Sequence, residues 1–184
     1  MEKWVIKNKK ADFAAMMKEY NISEVIARLL VNRNIVTKED IVAYLNPDLS
    51  HLNNPLKMKD MEKACHILAD KIRQGKRIRI VGDYDVDGVA ATYVLYTALQ
   101  RCNASVDYEI PDRIKDGYGI NINIIEDAYR DGIDTILTCD NGIAAIDQVK
   151  RAKELNMTVI VTDHHDIPYT ESEGERKYMI TEED

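Results

Sequence analysis

The sequence predicts an α/β fold, a parallel β-sheet flanked by helices and preceded by a small helical leader. Three observations carry that prediction. From Asp60 onward, short apolar runs alternate with amphipathic stretches of helical length. Before Asp60, helix start and stop signals dominate. The unusual polar residues gather just after each apolar run, where the strands of an open parallel sheet would end along one rim.

The leader spans residues 1–59. Short helices are expected from Asn21 to about Leu45, and Asn21 or Ser23 can cap one that carries Val25, Ile26, Leu29 and Leu30. Thr37, with Asp40 three residues on, resembles a capping box for the next helix, which ends at Asn46-Pro47. Asn53-Asn54-Pro55 reads as a loop. The second part, residues 60–184, opens with a helix from about Met61 to Gln74, stopped by Gly75. A strand from Ile78 to Val81 leads to a helix from about Gly88 to Arg101. Val106–Ile110 is the second strand, and a helix covers about Ile122 to Tyr129. Thr135–Thr138 is the third strand, Ala144–Glu154 a helix, and Thr158–Thr162 the fourth strand. Repeated β-α units of this kind imply right-handed crossovers between parallel neighbours.

The 184 residues are 45% hydrophobic and 31% charged, enough apolar material for one sizeable core. No apolar run is long enough to span a membrane, and Met1-Glu2-Lys3-Trp4 carries no signal-peptide pattern. Cys65, Cys102 and Cys139 are far apart in apolar patterns, which fits buried thiols and a cytoplasmic location. The net charge of −7 runs against a nucleic-acid surface. Its distribution softens that objection: much of the acid lies between Asp166 and Asp184, and Lys57–Arg79 is locally basic.

Each strand runs into a cluster of chemically capable residues. Strand one leads to Asp83-Tyr84-Asp85-Val86-Asp87-Gly88, and strand two to Pro111-Asp112-Arg113 and Gly117-Tyr118-Gly119. Strand three leads to Asp140-Asn141-Gly142, and strand four to Asp163-His164-His165-Asp166. In an extended segment alternate residues point the same way, so Asp83, Asp85 and Asp87 crowd their carboxylates, and a divalent cation relieves the repulsion. Asp87 could equally cap the next helix, which leaves the other two unexplained. The run D-x-D-x-D-G also opens an EF-hand, but the twelfth position is Val94 rather than Glu and a strand precedes the loop. Asp140 alone would read as a turn or cap residue; on a shared rim it is a candidate ligand. Imidazole beside carboxylates suits Mn²⁺ or Zn²⁺ better than Mg²⁺. His164 and His165, being adjacent, diverge, so that one can bind metal while the other faces substrate. Arg113 and Lys115, on a loop loosened by Gly117 and Gly119, suggest phosphate contact.

Together these residues resemble the DHH phosphoesterase superfamily. Asp163-His164-His165 is its name motif, Gly82–Gly88 resembles its first motif in the form that RecJ exonucleases use, and Thr138–Ile143 resembles its second. Leu30–Ile35, Tyr44–Pro47, Pro55–Ala64 and Ile110–Arg113 with Gly117–Gly119 also resemble RecJ. The superfamily branch that cleaves oligonucleotides or cyclic dinucleotides has a His where this chain has Val81. The resemblance implies that Asp85, Asp87, Asp140 and His164 are metal ligands, that Asp83 and Asp163 support them, and that His165 faces the scissile phosphate. It implies a cytoplasmic 5′-to-3′ exonuclease acting on single-stranded DNA in repair and recombination, without membrane partners. The cofactor would be Mn²⁺ or Mg²⁺, two ions about 3.5–4 Å apart in the complete enzyme. A sheet order of 2-1-3-4 is expected, because a shared metal site needs strands one, three and four side by side. The family continues beyond the equivalent of Asp184 with a further strand, a fourth metal-binding Asp and a second domain. The resemblance therefore implies an N-terminal part, incomplete at its C-terminal end, with weak or no activity alone. Two rivals are an inactive DHH-like module that binds DNA or protein, and a receiver domain. A receiver needs a Lys after a fifth strand and leaves His164-His165 unexplained.

Overall fold

The computed structural model describes residues 3, 5, 8–172 and 175–179. The expectations about the signal pattern at residues 1–4 and the cut end at 181–184 fall largely or wholly outside them. The chain divides into two compact units, Met1–Met58 and Lys59–Asp184.

The first unit holds α1 (Phe13–Tyr20), α2 (Glu24–Asn32) and α3 (Lys38–Leu45), followed by 3-10 turns at Leu49–His51 and Pro55–Lys57. Helix α1 lies outside the sequence expectation. Its N-cap is Asp12, and Asn21 closes it in the left-handed conformation with φ 52°. The cap of α2 is therefore Ser23, whose Oγ accepts the Ile26 N–H at 3.3 Å. Thr37 caps α3 as expected, accepting the Asp40 N–H at 3.1 Å. Ala27, Leu30, Val31 and Ile41 are buried here, whereas Val25, Ile26 and Leu29 are exposed.

The second unit carries α4 (Met61–Arg73), β1 (Arg77–Val81), α5 (Val86–Arg101), β2 (Ser105–Glu109), α6 (Ile122–Arg130), β3 (Thr135–Cys139), α7 (Ile146–Glu154) and β4 (Thr158–Thr162). The four strands form one parallel sheet in the order β2-β1-β3-β4, as expected. Alternation along β1 sends Ile78 and Ile80 into a cluster with Leu99, Leu137, Cys139 and Ile160, backed by residues of α4 and α5. Val81 and Ile136 face the other way, among Ile124, Ile125 and Ala128 of α6 and Ala152 of α7. The sheet is thus covered on both faces, which is why β3 is buried at every residue. Arg79, one residue out of phase with Ile78 and Ile80, is 11% exposed. Its guanidinium meets both oxygens of Asp107 at 2.9 Å, Glu109 at 3.2 Å and Asp131 at 2.9 Å, tying β1 to β2.

Three local expectations change. Helix α5 begins two residues early because Asp85, not Asp87, is its cap. Only Cys139 is buried; Cys65 and Cys102 are exposed, on α4 and at the end of α5. An antiparallel pair, β5 (Tyr169–Ser172) with β6 (Glu175–Tyr178), follows the sheet. Tyr169 packs edge-to-face on Tyr178 at 5.8 Å, and Arg176 stacks on Tyr169. Such cross-strand pairs stabilise a ladder whose residues are all exposed. No helix among the described residues is long and apolar enough to cross a membrane.

Candidate metal centre

The parallel register aligns the strand ends: Val81 pairs with Thr138, and Cys139 with Thr162. The residues that follow β1, β3 and β4 therefore emerge together. After β1 the chain passes through Gly82 to Asp83, which is 1% exposed. The turn into α5 closes on Asp83 so tightly that a Cβ on Gly88 would lie 2.5 Å from the Asp83 carbonyl oxygen. Asp85 then caps α5, its Oδ1 accepting the N–H groups of Asp87 and Gly88, both at 3.0 Å.

After β3, Asp140 adopts φ 62°, a left-handed conformation that Asp tolerates better than most residues. This turn tucks its carboxylate inward to 8% exposure. Buried Asn141 ties the neighbourhood together. Its amide donates to the Val81 carbonyl at 3.0 Å and the Cys139 carbonyl at 2.9 Å, and its Oδ1 accepts the Ile120 N–H at 3.1 Å. After β4, Asp163 is nearly buried and engages four donors. Oδ2 accepts the Ile143 N–H, while Oδ1 accepts the backbone N–H groups of His164 and His165 and the His165 Nδ1–H at 2.6 Å. His164 Nε2 lies 2.8 Å from Asp140 Oδ1.

Two groups of metal-capable side chains result, Asp83 with Asp85 and Asp140, and Asp140 with His164 and His165. In each, the ligand atoms lie within 4.8 Å of one another, and Asp140 belongs to both. Asp83 Oδ1 is buried and has no hydrogen-bond partner among the described residues. A buried carboxylate oxygen left unpaired is costly, and a cation beside it is the remedy that this all-oxygen and imidazole donor set fits.

The expected residues Asp83, Asp85, Asp140, His164 and His165 are thus brought together, with Asp163 bonded to His165. Asp87 lies outside both groups, exposed in the first turn of α5. Arg113 and Lys115 are exposed on the loop after β2. The Arg113 guanidinium carbon sits 5.3 Å from the Tyr84 ring centroid, and the Lys115 N–H donates to Asp112. Two residues escaped the sequence reading of the site. One is Asn141, visible only as part of a turn. The other is Tyr118, whose hydroxyl donates to the Asp140 carbonyl at 3.0 Å and lies 3.3 Å from both His165 ring nitrogens. The glycines around Tyr118 marked the loop, but nothing local marked the ring.

The electrostatics follow from these contacts. Burial alone would raise the Asp163 carboxyl, but the Ile143 N–H, the His165 ring and the other N–H donors outweigh it and hold it below its ordinary value. The Asp163 bond raises His165 above the usual imidazole value despite partial desolvation. Burial, reinforced by Asp83, Asp163, Asp140 and Asp85, pushes the Tyr118 phenol up to about 12, so it remains a donor at neutral pH.

The family model described as "DHH family, N-terminal domain" matches residues 77–183, and the chain belongs to that family. Its similarity to known proteins is to RecJ single-stranded-DNA-specific exonucleases. It is 38% identical to that of Bacillus subtilis over 89% of this chain and 21% of the relative. It is 40% identical to that of Escherichia coli over 59% and 19%. Among solved structures, Thermus thermophilus RecJ in complex with Mn²⁺ matches with TM-score 0.60 and 30% identity, over 88% of this chain and 22% of that one. An exonuclease RecJ bound to manganese matches with TM-score 0.56 and 38% identity, over 59% and 28%. The chain spans about a fifth of the length of these curated relatives. Family and site together define a DHH-family domain that gathers two candidate metal-binding groups at the ends of its strands.

Proposed function

We propose that this chain carries the metal site of a 5′-to-3′ exonuclease for single-stranded DNA, with Mn²⁺ or Mg²⁺ as cofactor, serving DNA repair and recombination. The observation that supports it most directly is the pair of ligand groups sharing Asp140, with the unpaired Asp83 oxygen beside them. Asp83, Asp85, Asp140 and His164 are the donors. Asp87 stands next to them, its N–H bonded to the Asp85 carboxylate. Bound divalent ions would supply Lewis-acid stabilisation of phosphoryl charge and a water nucleophile of lowered pKa.

The chain's own residues do the rest. Asp163 accepts the His165 Nδ1–H and orients the ring toward an open recess lined by Tyr118, Gly142, Ala145 and Gln148. That recess admits the scissile phosphate beside His165. Arg113 and Lys115 hold backbone phosphates through charge, which positions the strand without reading its bases.

The test measures Mn²⁺ binding and Mn²⁺-dependent release of mononucleotides from 5′-phosphorylated single-stranded DNA, with Asp140→Asn as comparator. Mn²⁺ binding by the unaltered chain, lost in Asp140→Asn together with any cleavage that the chain shows, supports the reading. A chain that binds Mn²⁺ without Asp140, or cleaves equally in chelator, refutes it.

A further inference from the structure

Tyr118 is not among the metal-capable groups, yet it touches both sides of one of them. A hydroxyl offers one proton and two acceptor positions. The Tyr118 proton is committed to the Asp140 carbonyl at 3.0 Å. Toward His165, 3.3 Å from each ring nitrogen, the oxygen can therefore only accept. Equal distances to the two nitrogens put that oxygen midway between them, against the ring rather than in line with either nitrogen. Asp163 grips His165 at Nδ1, at 2.6 Å. A ring held at one nitrogen alone can still rock about its terminal torsion, which is broad for imidazole. The tyrosine oxygen rests against the ring that such rocking would move.

The same side chain is anchored from its own loop. Gly117 and Gly119 have φ of 78° and 67°, and Gly119 lies against Asn141, where a Cβ would come within 3.1 Å of the Asn141 Cβ. The Tyr118 ring meets Tyr84 edge-to-face at 6.4 Å and His165 at 5.8 Å, and Tyr84 carries Arg113. A line of contacts thus joins the cation-bearing loop to the residues after β3 and β4.

We propose that Tyr118 is a positioning residue, whose hydroxyl fixes the His165 ring and the Asp140 backbone and couples the 113–119 loop to the metal centre. The proposal rests on the nuclease reading above, which makes His165 the residue facing phosphate. Partners of this outer kind change metal affinity or activity by about 10–100-fold when removed.

The test is Tyr118→Phe, which keeps the ring and deletes the oxygen. Two readouts are taken, the ¹⁵N shifts of the His165 ring in the metal-free chain and the kcat and KM for single-stranded DNA with Mn²⁺. The expected result is a moved His165 nitrogen signal and a kcat lower by about 10–100-fold, with KM within about twofold. Unmoved nitrogen shifts together with unchanged kcat overturn the proposal. If the unaltered chain does not bind Mn²⁺, the nuclease reading fails; in that case, or if it binds Mn²⁺ without cleaving DNA, the nitrogen shifts alone decide the positioning. If Tyr118→Phe does not fold, the unaltered chain decides. A nuclear Overhauser contact between the Tyr118 ring and the His165 Cε1 proton supports the brace, and its absence overturns it.

Discussion

Replacing Gly88 with Ala strikes the turn that delivers Asp83. The added Cβ would lie 2.5 Å from the Asp83 carbonyl oxygen and 2.7 Å from its carbonyl carbon and Cα, all backbone atoms that cannot rotate aside. Ordinary contact begins near 3.4 Å, so either α5 or Asp83 must shift by about 0.9 Å. Helix α5 resists, because Thr92 and Leu99 are buried along it. Overpacking of this kind costs about 1–3 kcal/mol, partly offset by up to about 1 kcal/mol of helix propensity gained over glycine. At about 2–4 °C per kcal/mol for a chain of this size, the melting temperature should fall by several degrees. Mn²⁺ affinity should fall by about tenfold or more, since Asp83 belongs to one ligand group. Gly75→Ala is the control. It also sits at positive φ, 66°, but nothing lies within 4 Å of its added Cβ. It should lose about 1 kcal/mol of stability and no metal affinity. Calorimetric Mn²⁺ titration and thermal melting of both variants provide the measurement. Wild-type affinity in Gly88→Ala would refute the reasoning that the close turn sets Asp83 in place.

Asn141→Ala strands the Val81 and Cys139 carbonyls and the Ile120 N–H in a buried place, and should cost about 3 kcal/mol in urea unfolding. Asp134 gives a pH test away from the site. Burial would raise its carboxyl, but Lys71 at 2.5 Å, Thr135 and Lys76 lower it below the ordinary value. A depressed folded pKa contributes stability above the unfolded value, near 3.9, that is lost as pH falls through the folded value. Asp134→Asn should therefore be less stable than wild type at pH 7, with the difference shrinking below about pH 4 in pH-dependent melts. Arg113→Ala should weaken binding of single-stranded DNA equally across sequences and reduce the salt slope by about one, measured by fluorescence anisotropy; an unchanged slope would remove Arg113 from the phosphate track.

Several features were written in local pattern. The alternation of Ile78, Arg79, Ile80 and Val81 and the helix-length stretches between strands are properties of short windows, so the β-α order was legible. The leader was less so. Asn21 is at home both in a left-handed helix end and at an N-cap, and only the folded chain shows that it closes α1 while Ser23 opens α2. The β5–β6 pair escaped because its strands bury neither face and so carry no alternation.

By itself the sequence determined which loops share a rim, because parallel strands all end on the same side of their sheet. Asp83, Asp85, Asp140, His164 and His165 could therefore be gathered from positions far apart in the chain. Tertiary structure alone decided which atoms meet. That Asp83 joins Asp85 and Asp140 while Asp87 stays outside depends on where α5 starts and on the space that Gly88 leaves. That Tyr118 reaches Asp140 and His165, and Asn141 reaches Val81 and Ile120, depends on contacts between segments separated by 21 to 60 residues. A short window records periodicity and turn chemistry, whereas such contacts form only when the packed sheet brings its distant ends within hydrogen-bond reach.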